Sequence, residues 1–360
     1  MRTTISKRQT RGGVLPLAAL AALTCVLVAG CEKEQTPSPP AAPPPGTSAA
    51  GGTAPAAGAK KKIVFVFKVG GLSYSEACKA GAQQANDDPA LNATVQYLAP
   101  APGPAAAAAQ KDIVEQAIVG HPDAIVVSPN DSQAIKPALQ KAKDAGVRVF
   151  TWDSDAPDSP REFYVAAVDD VQIGADIAKA LAKSIDDKGA VLLFSGGKTA
   201  ENLNKHLEGI TGELRKHPNI KIADTVYNDD NTDKAKSMAL AALQAHPEAV
   251  GIAATNSPSP RGAAEALQTL HKVGKVKVWG LGLPSENKAY LEAGSVTGLY
   301  LWDPQNLTYD TAKLVRAALD GKPPKDGDKM DDGAIQVRGA LVTLPLRLEI
   351  TKENVESLKF

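Results

Sequence analysis

Cysteine, histidine and aromatic side chains are scarce in this 360-residue chain, and each shortage closes off a class of function. Three cysteines, Cys25, Cys31 and Cys78, cannot build a disulfide framework. Five histidines form no cluster with metal-ligand spacing, and neither a metal nor a catalytic set is expected. Charge of one sign is also missing. Forty Lys and Arg balance 40 Asp and Glu without a basic stripe, which argues against nucleic acid as a partner. No Gly-x-Ser-x-Gly elbow occurs. The nearest approach to a phosphate loop, Phe194-Ser195-Gly196-Gly197-Lys198-Thr199, has Leu192 where the leading glycine is required, and Gly70-Gly71 lacks dinucleotide-loop spacing. No cofactor is expected.

What is present begins with an address. Arg2, Lys7, Arg8 and Arg11 form a basic start with no acidic residue, followed by an apolar stretch from Val14 to Val28. That stretch is shorter than the roughly 20 residues of a membrane span and reads as a signal peptide over residues 1–30. It ends in Leu27-Val28-Ala29-Gly30-Cys31, which resembles the lipobox of bacterial lipoproteins, in which the cysteine is acylated and becomes the mature N-terminus. Residues 32–59 hold seven prolines among Ala, Gly, Ser and Thr, with no large apolar side chain, so residues 31–60 read as an acylated tether. Fully extended at roughly 3.1 Å per residue, it reaches about 90 Å. Removing residues 1–30 takes away four basic residues and leaves 36 against 40 acidic ones, a net charge of −4.

From Lys60 onward one rhythm repeats. Apolar runs such as Ile63–Phe67, Val95–Leu98, Ala124–Val127, Val147–Trp152, Val191–Phe194, Val250–Ala254 and Val296–Leu301 alternate with helical stretches. Strands apolar nearly throughout, joined by long crossovers, predict α/β architecture with parallel sheets covered on both faces. About 300 residues in this style predict two Rossmann-like lobes, with a polar, proline-punctuated break from Asp153 to Pro160 and a boundary near residues 160–172. His121, His217 and His246, each followed by proline, fall in turns at the opposite edge from the strand ends, and His206 reads as solvent-exposed. Cys78 reads as a buried free thiol.

A ring of polar residues remains at the carboxyl ends of strands, where ligands of open parallel sheets bind. Lys68 ends strand one, Ser128 strand three, and Trp152-Asp153 strand four. In the second lobe Glu201 and Asn202, then Asn256, then Trp302-Asp303 take the equivalent places. Carboxylates, amides and an ammonium can hold a polyol, and an indole face can stack on a sugar's C–H surface. These residues suit holding a ligand rather than converting it.

Over residues 61–360 the chain resembles the type I periplasmic sugar-binding proteins of ABC importers, most closely the autoinducer-2-binding and rhamnose-binding branch. The resemblance rests on Ile63–Lys68, Ala124–Pro129, Pro137–Asp155 with Gly146–Asp155 its most specific part, Tyr227–Asp230, Leu301-Trp302-Asp303, Leu344-Pro345 and Lys352-Glu353-Asn354. In the autoinducer-2 receptor a lysine ends strand one and an aspartate follows a Thr-Trp pair, matching Lys68 and Asp153. Its Asp-Gln pair aligns with Glu201-Asn202. Its Pro-Asp-Ala falls on Thr255-Asn256-Ser257, where Asn256 is similar to the asparagine of ribose-type binders. The resemblance implies three interlobe crossings near 165–170, 302–305 and 338–342, an N-terminal lobe of 61–167 plus 304–339, and a C-terminal lobe of 168–303 plus 340–360. It further implies a non-enzymatic, monomeric receptor in the periplasm or at the cell surface, touching the membrane only through its anchor. Such a receptor captures a sugar such as rhamnose or a pentose, or an autoinducer-2-like ligand, and delivers it to ABC permease subunits. A sensing module for a chemoreceptor or sensor kinase would use the same site.

The anchor is directly testable. Replacing Cys31 with Ala is expected to abolish detergent-phase partitioning, since attachment then lacks its acyl chains. Partitioning equal to wild type would exclude acyl attachment at Cys31.

Overall fold

The computed structural model describes residues 60–103 and 105–360. The signal peptide, Cys31 and all but the last residue of the tether lie outside the described residues. The first half alternates up to β4 and then adds a second strand directly: β1 (Lys61–Val66), α1 (Ser73–Asp87), β2 (Ala93–Leu98), α2 (Ala106–Val119), β3 (Ala124–Val127), α3 (Lys136–Asp144), β4 (Arg148–Trp152) and β5 (Tyr164–Ala166). The second half repeats it with α4 (Asp170–Ser184), β6 (Gly189–Ser195), α5 (Glu201–Leu214), β7 (Ile220–Tyr227), α6 (Thr232–Ala245), β8 (Ala249–Ala254), α7 (Pro258–Thr269), β9 (Lys277–Leu281), α8 (Pro284–Glu292) and β10 (Gly298–Leu301). A returning segment then supplies α9 (Pro304–Leu319), a small hairpin of β11 (Lys329–Met330) and β12 (Gly333–Ala334), and the strands β13 (Gln336–Arg338), β14 (Leu341–Thr343) and β15 (Leu348–Ile350).

The apolar runs become two sheets. The first has the order β13-β14-β5-β4-β3-β1-β2, and the second β15-β10-β9-β8-β6-β7. Both are parallel except at one edge, where β13 runs antiparallel to β14 and β15 antiparallel to β10. Ile63, Val64, Phe65 and Val66 are all buried, as are Ala124 to Val127, because helices cover both faces. In each sheet the strand order reverses once: between β1 and β3, and between β6 and β8. A crevice opens outside the strand ends at such a point.

The chain crosses between sheets at 167–169, at 302–303 and at 344–347. The last crossing lies beyond the expected 338–342. Leu341–Thr343 adds to the first sheet through parallel pairing with β5, so only the segment from about residue 344 joins the second lobe.

Glycines let the covering helices approach closely. A Cβ on Gly81 of α1 would stand 2.2 Å from the Gln305 carbonyl of α9. On α5, a Cβ at Gly209 would stand 2.0 Å from the Val171 carbonyl of α4, whereas one at Gly212 would meet nothing within 4 Å. Gly209→Ala is therefore expected to destabilise the protein by about 1–3 kcal/mol. Gly212→Ala, at an exposed site in the last turn of α5, is expected to stabilise it by up to about 0.5–1 kcal/mol. Denaturant midpoints check both. Equal midpoints for the two variants would show that α4 and α5 part without cost.

Candidate functional site

The carboxyl ends of the two sheets face one another across a cleft of about 510 Å³, measured out to solvent. Its centre is Asp153, one residue past β4. The backbone there turns into the left-handed region at φ 58°, a conformation that Asp tolerates better than most side chains. The turn presents the carboxylate to three groups. Lys68 Nζ lies 3.0 Å from Oδ2, Ser128 Oγ donates to Oδ2 at 2.7 Å, and the Tyr74 hydroxyl donates to Oδ1 at 2.8 Å. Tyr74 in turn accepts from Trp302 Nε1 at 2.8 Å. Burial, with the Asp153 charge adding to it, pushes the Tyr74 hydroxyl well above its usual pKa, so it stays protonated and donates.

Lys68 and Asp153 are 8% and 5% exposed, so their pairing is strong and its loss costly. Lys68 also donates to Asn202 Oδ1 at 3.2 Å, which links the first sheet to α5 of the second. Gln110 of α2 fixes the strand ends from behind, donating to the carbonyls of Phe67 and Ser128 at 2.9 and 2.6 Å. On the second sheet, Asn256 Nδ2 donates to Asn228 Oδ1 at 2.9 Å and to Asp230 Oδ1 at 2.8 Å, and Ser259 donates to Asn256 Oδ1. Phe67, Leu72, Leu203, Leu281 and Leu301 supply apolar walls. Donors, acceptors and flat aromatic surface thus converge on one small volume. Among the described residues, no group of three or more His, Cys, Asp and Glu side chains could hold a metal ion.

Of the residues expected from the sequence, Lys68, Asp153, Asn202, Asn256 and Trp302 line the cleft together. Ser128 is fully buried behind it and positions Asp153. Three residues are placed elsewhere. Trp152, the last residue of β4 and 0% exposed, packs in the core against Phe65 and Phe67, with ring centroids 5.2 and 5.4 Å away. Glu201 opens α5 and does not line the cleft, its carboxylate lying 3.7 Å from Lys205. Asp303 is occupied as the N-cap of α9, accepting from Gln305 N at 2.8 Å and Asn306 N at 3.4 Å.

His206 corrects a further expectation. It is 1% exposed rather than solvated, lines the cleft, and places Nε2 3.1 Å from Asp170 Oδ1 and Nδ1 3.3 Å from the Thr255 carbonyl. Its spacing of four from Asn202 puts both on one helix face, a signal that was present in the sequence. Tyr74 and Asp230 also line the cleft and had not been singled out. Cys78 is buried and free, as expected.

A family model described as a periplasmic binding protein domain matches residues 63–323. The chain is 26% identical over 240 residues to the D-ribose/D-allose-binding protein of Pseudomonas aeruginosa, covering 65% of this chain and 73% of that protein. It is 26% identical over 255 residues to the D-xylose-binding periplasmic protein of Escherichia coli, covering 69% and 75%. Among solved structures, LsrB from Clostridium saccharobutylicum in complex with AI-2 superposes with a TM-score of 0.76 at 26% identity, covering 83% of this chain and 100% of that one. An ABC transporter solute-binding protein from Clostridium phytofermentas with bound L-rhamnose gives 0.77 at 24% identity, covering 84% and 98%, and shares the fold.

The buried pair generates a stability prediction. Lys68→Met is expected to cost about 3–5 kcal/mol, because it leaves Asp153 in the interior without its cationic partner and with only hydroxyl donors. The double variant Lys68→Met/Asp153→Asn is expected to cost less than the two single variants combined, by about 0.5–3 kcal/mol. Denaturation of the three variants measures this. Strict additivity would show that the two groups do not stabilise one another.

Proposed function

The chain belongs to the periplasmic binding protein family, and on that premise we propose that it captures a small sugar or sugar-like polyol in the cleft and delivers it to the permease of an ABC importer. The observation that carries this reading is the Lys68–Asp153 pair, tied through Asn202 to the second sheet and flanked by Tyr74 and Trp302. Its polar atoms match a ligand rich in hydroxyls, and its aromatic and aliphatic walls match the C–H faces of such a ligand. The ribose, xylose and AI-2 named for the relatives are all small oxygenated molecules. Lys68, Asp153, Asn202, Asn256 and Trp302 are the proposed contacts, with Ser128 acting through Asp153. The relatives carry the names of binding proteins.

One lobe comprises the first sheet with α9, the other the second sheet with β15. Ligand bridging both favours the form in which the lobes are closed. In the same reading, residues 1–30 export the chain, Cys31 carries the lipid, and residues 31–60 let the receptor reach a permease in the same membrane or across the periplasm. Among the described residues no helix is long and apolar enough to cross a membrane.

Isothermal titration against D-ribose, D-xylose, D-arabinose, L-rhamnose and AI-2 tests the reading. At least one is expected to bind and to be recovered chemically unchanged. Asp153→Asn is expected to weaken binding by at least roughly tenfold, the scale of one charge-assisted hydrogen bond of about 1.5–3 kcal/mol. Glu201→Gln, outside the cleft, is expected to stay within about twofold. Binding by a folded Asp153→Asn protein at wild-type strength would mean that this aspartate braces the loop without touching ligand.

A further inference from the structure

The charged groups at the cleft do not balance. Lys68 is matched by Asp153 at 3.0 Å. Asp230, just after β7, has neutral partners only: Asn256 Nδ2 donates to Oδ1 at 2.8 Å and Gly197 N donates to Oδ2 at 3.3 Å. The lysines nearest in the local loops are engaged elsewhere. Lys198 lies over the Tyr227 ring at 4.9 Å, and Lys234 pairs with Asp229 at 2.7 Å. Among the described residues no cationic nitrogen forms an ion pair with Asp230.

The position of this carboxylate is built. Asp230 N donates to Asn228 Oδ1 at 3.1 Å, and Asn228 Nδ2 donates to Ser259 Oγ at 2.8 Å, which fastens the loop to α7. Gly196 clears space for it, since a Cβ there would stand 2.2 Å from Asp230 Oδ1. A carboxylate offers about four lone-pair directions, and two donors leave the rest open to the cleft. An acceptor carrying unbalanced negative charge asks for a hydroxyl or an ammonium and repels an anion.

We propose that Asp230 sets the charge class of the ligand: the cleft takes neutral polyols and amino-deoxy sugars, and refuses sugar acids and phosphorylated sugars. The inference rests on the sugar-binding reading and adds a specificity residue to it. The hydrogen bonds on Lys68 and Asp153 select hydroxyls in general. Asp230 decides which charged relatives of a sugar are admitted.

The test takes the tightest-binding neutral sugar of the titration panel, its amino-deoxy isomers, and its onic acid and phosphate ester. Each is titrated into the wild-type protein and into Asp230→Asn. In wild type both anions are expected to bind at least about 100-fold more weakly than the neutral sugar, as befits a like-charge contact. At least one amino-deoxy isomer is expected to bind no more weakly than the neutral sugar. In Asp230→Asn the neutral-to-anion ratio is expected to shrink by at least roughly tenfold, with the neutral sugar changing less than that. An unchanged ratio in Asp230→Asn overturns the role of Asp230 while leaving sugar binding intact. Amino-deoxy sugar binding without any neutral sugar binding sinks the neutral-sugar reading and supports Asp230. If no sugar in any of these classes binds, both fall.

Discussion

A lysine and an aspartate withdrawn from water together, Lys68 and Asp153, set the condition that the surrounding structure meets. Two ions in a protein interior each lose several kcal/mol of hydration, and their mutual attraction offsets this only when the remaining donors and lone pairs are satisfied. Here Ser128, Tyr74 and Asn202 each satisfy one of them, and each comes from a different element. The requirement therefore extends into the sheet. The pairing of β1 with β3 and of β3 with β4 brings the three strand ends level, and a slip of one residue would turn a site group toward the covering helices. Gln110, gripping two strand-end carbonyls, holds that alignment from outside the sheet.

Much of this was legible in the sequence because it follows from chain direction. Parallel strands present their carboxyl ends on one side, so a polar residue directly after an apolar run falls at the cleft. Lys68, Asp153 and Asn256 follow from that rule, and Asn202 from its place at the start of the helix after β6. Chain direction alone does not say which way a side chain turns. Trp152 packs in the core, while Asp303 is taken up by the free N–H groups of α9. Tyr74 was hidden for a different reason. It enters the site from the first turn of α1, and its partners, Asp153 and Trp302, are 79 and 228 residues away. No local pattern encodes such a meeting. The same holds for Asp230, whose neighbour Asn256 lies across the β6–β8 switch point.

The cleft separates two tasks that a smaller site would have to combine. Its Lys68–Asp153 pair is internally compensated, so it supplies strong, fixed hydrogen-bonding directions while adding little net charge of its own. Apolar walls from Phe67, Leu203, Leu281 and Leu301 complete the enclosure. Under the proposed reading, shape and hydroxyl geometry are read by the buried pair and its partners. Charge is read by a carboxylate at the other sheet. Affinity and selectivity can then be altered by different substitutions.

The returning segment has a consequence for the order in which the molecule can be completed. The exposed side of α1 is covered by α9, and β5 gains its outer neighbour only from β14. A chain emerging from the ribosome has by then already produced β6 through β10, so the second sheet has all its strands but β15 while the first still lacks a helix and an edge. The lobe that begins first is finished after most of the other. Any chain stopped before about residue 304 would leave the apolar face of α1 uncovered, and would be open to capture by whatever greasy surface it met.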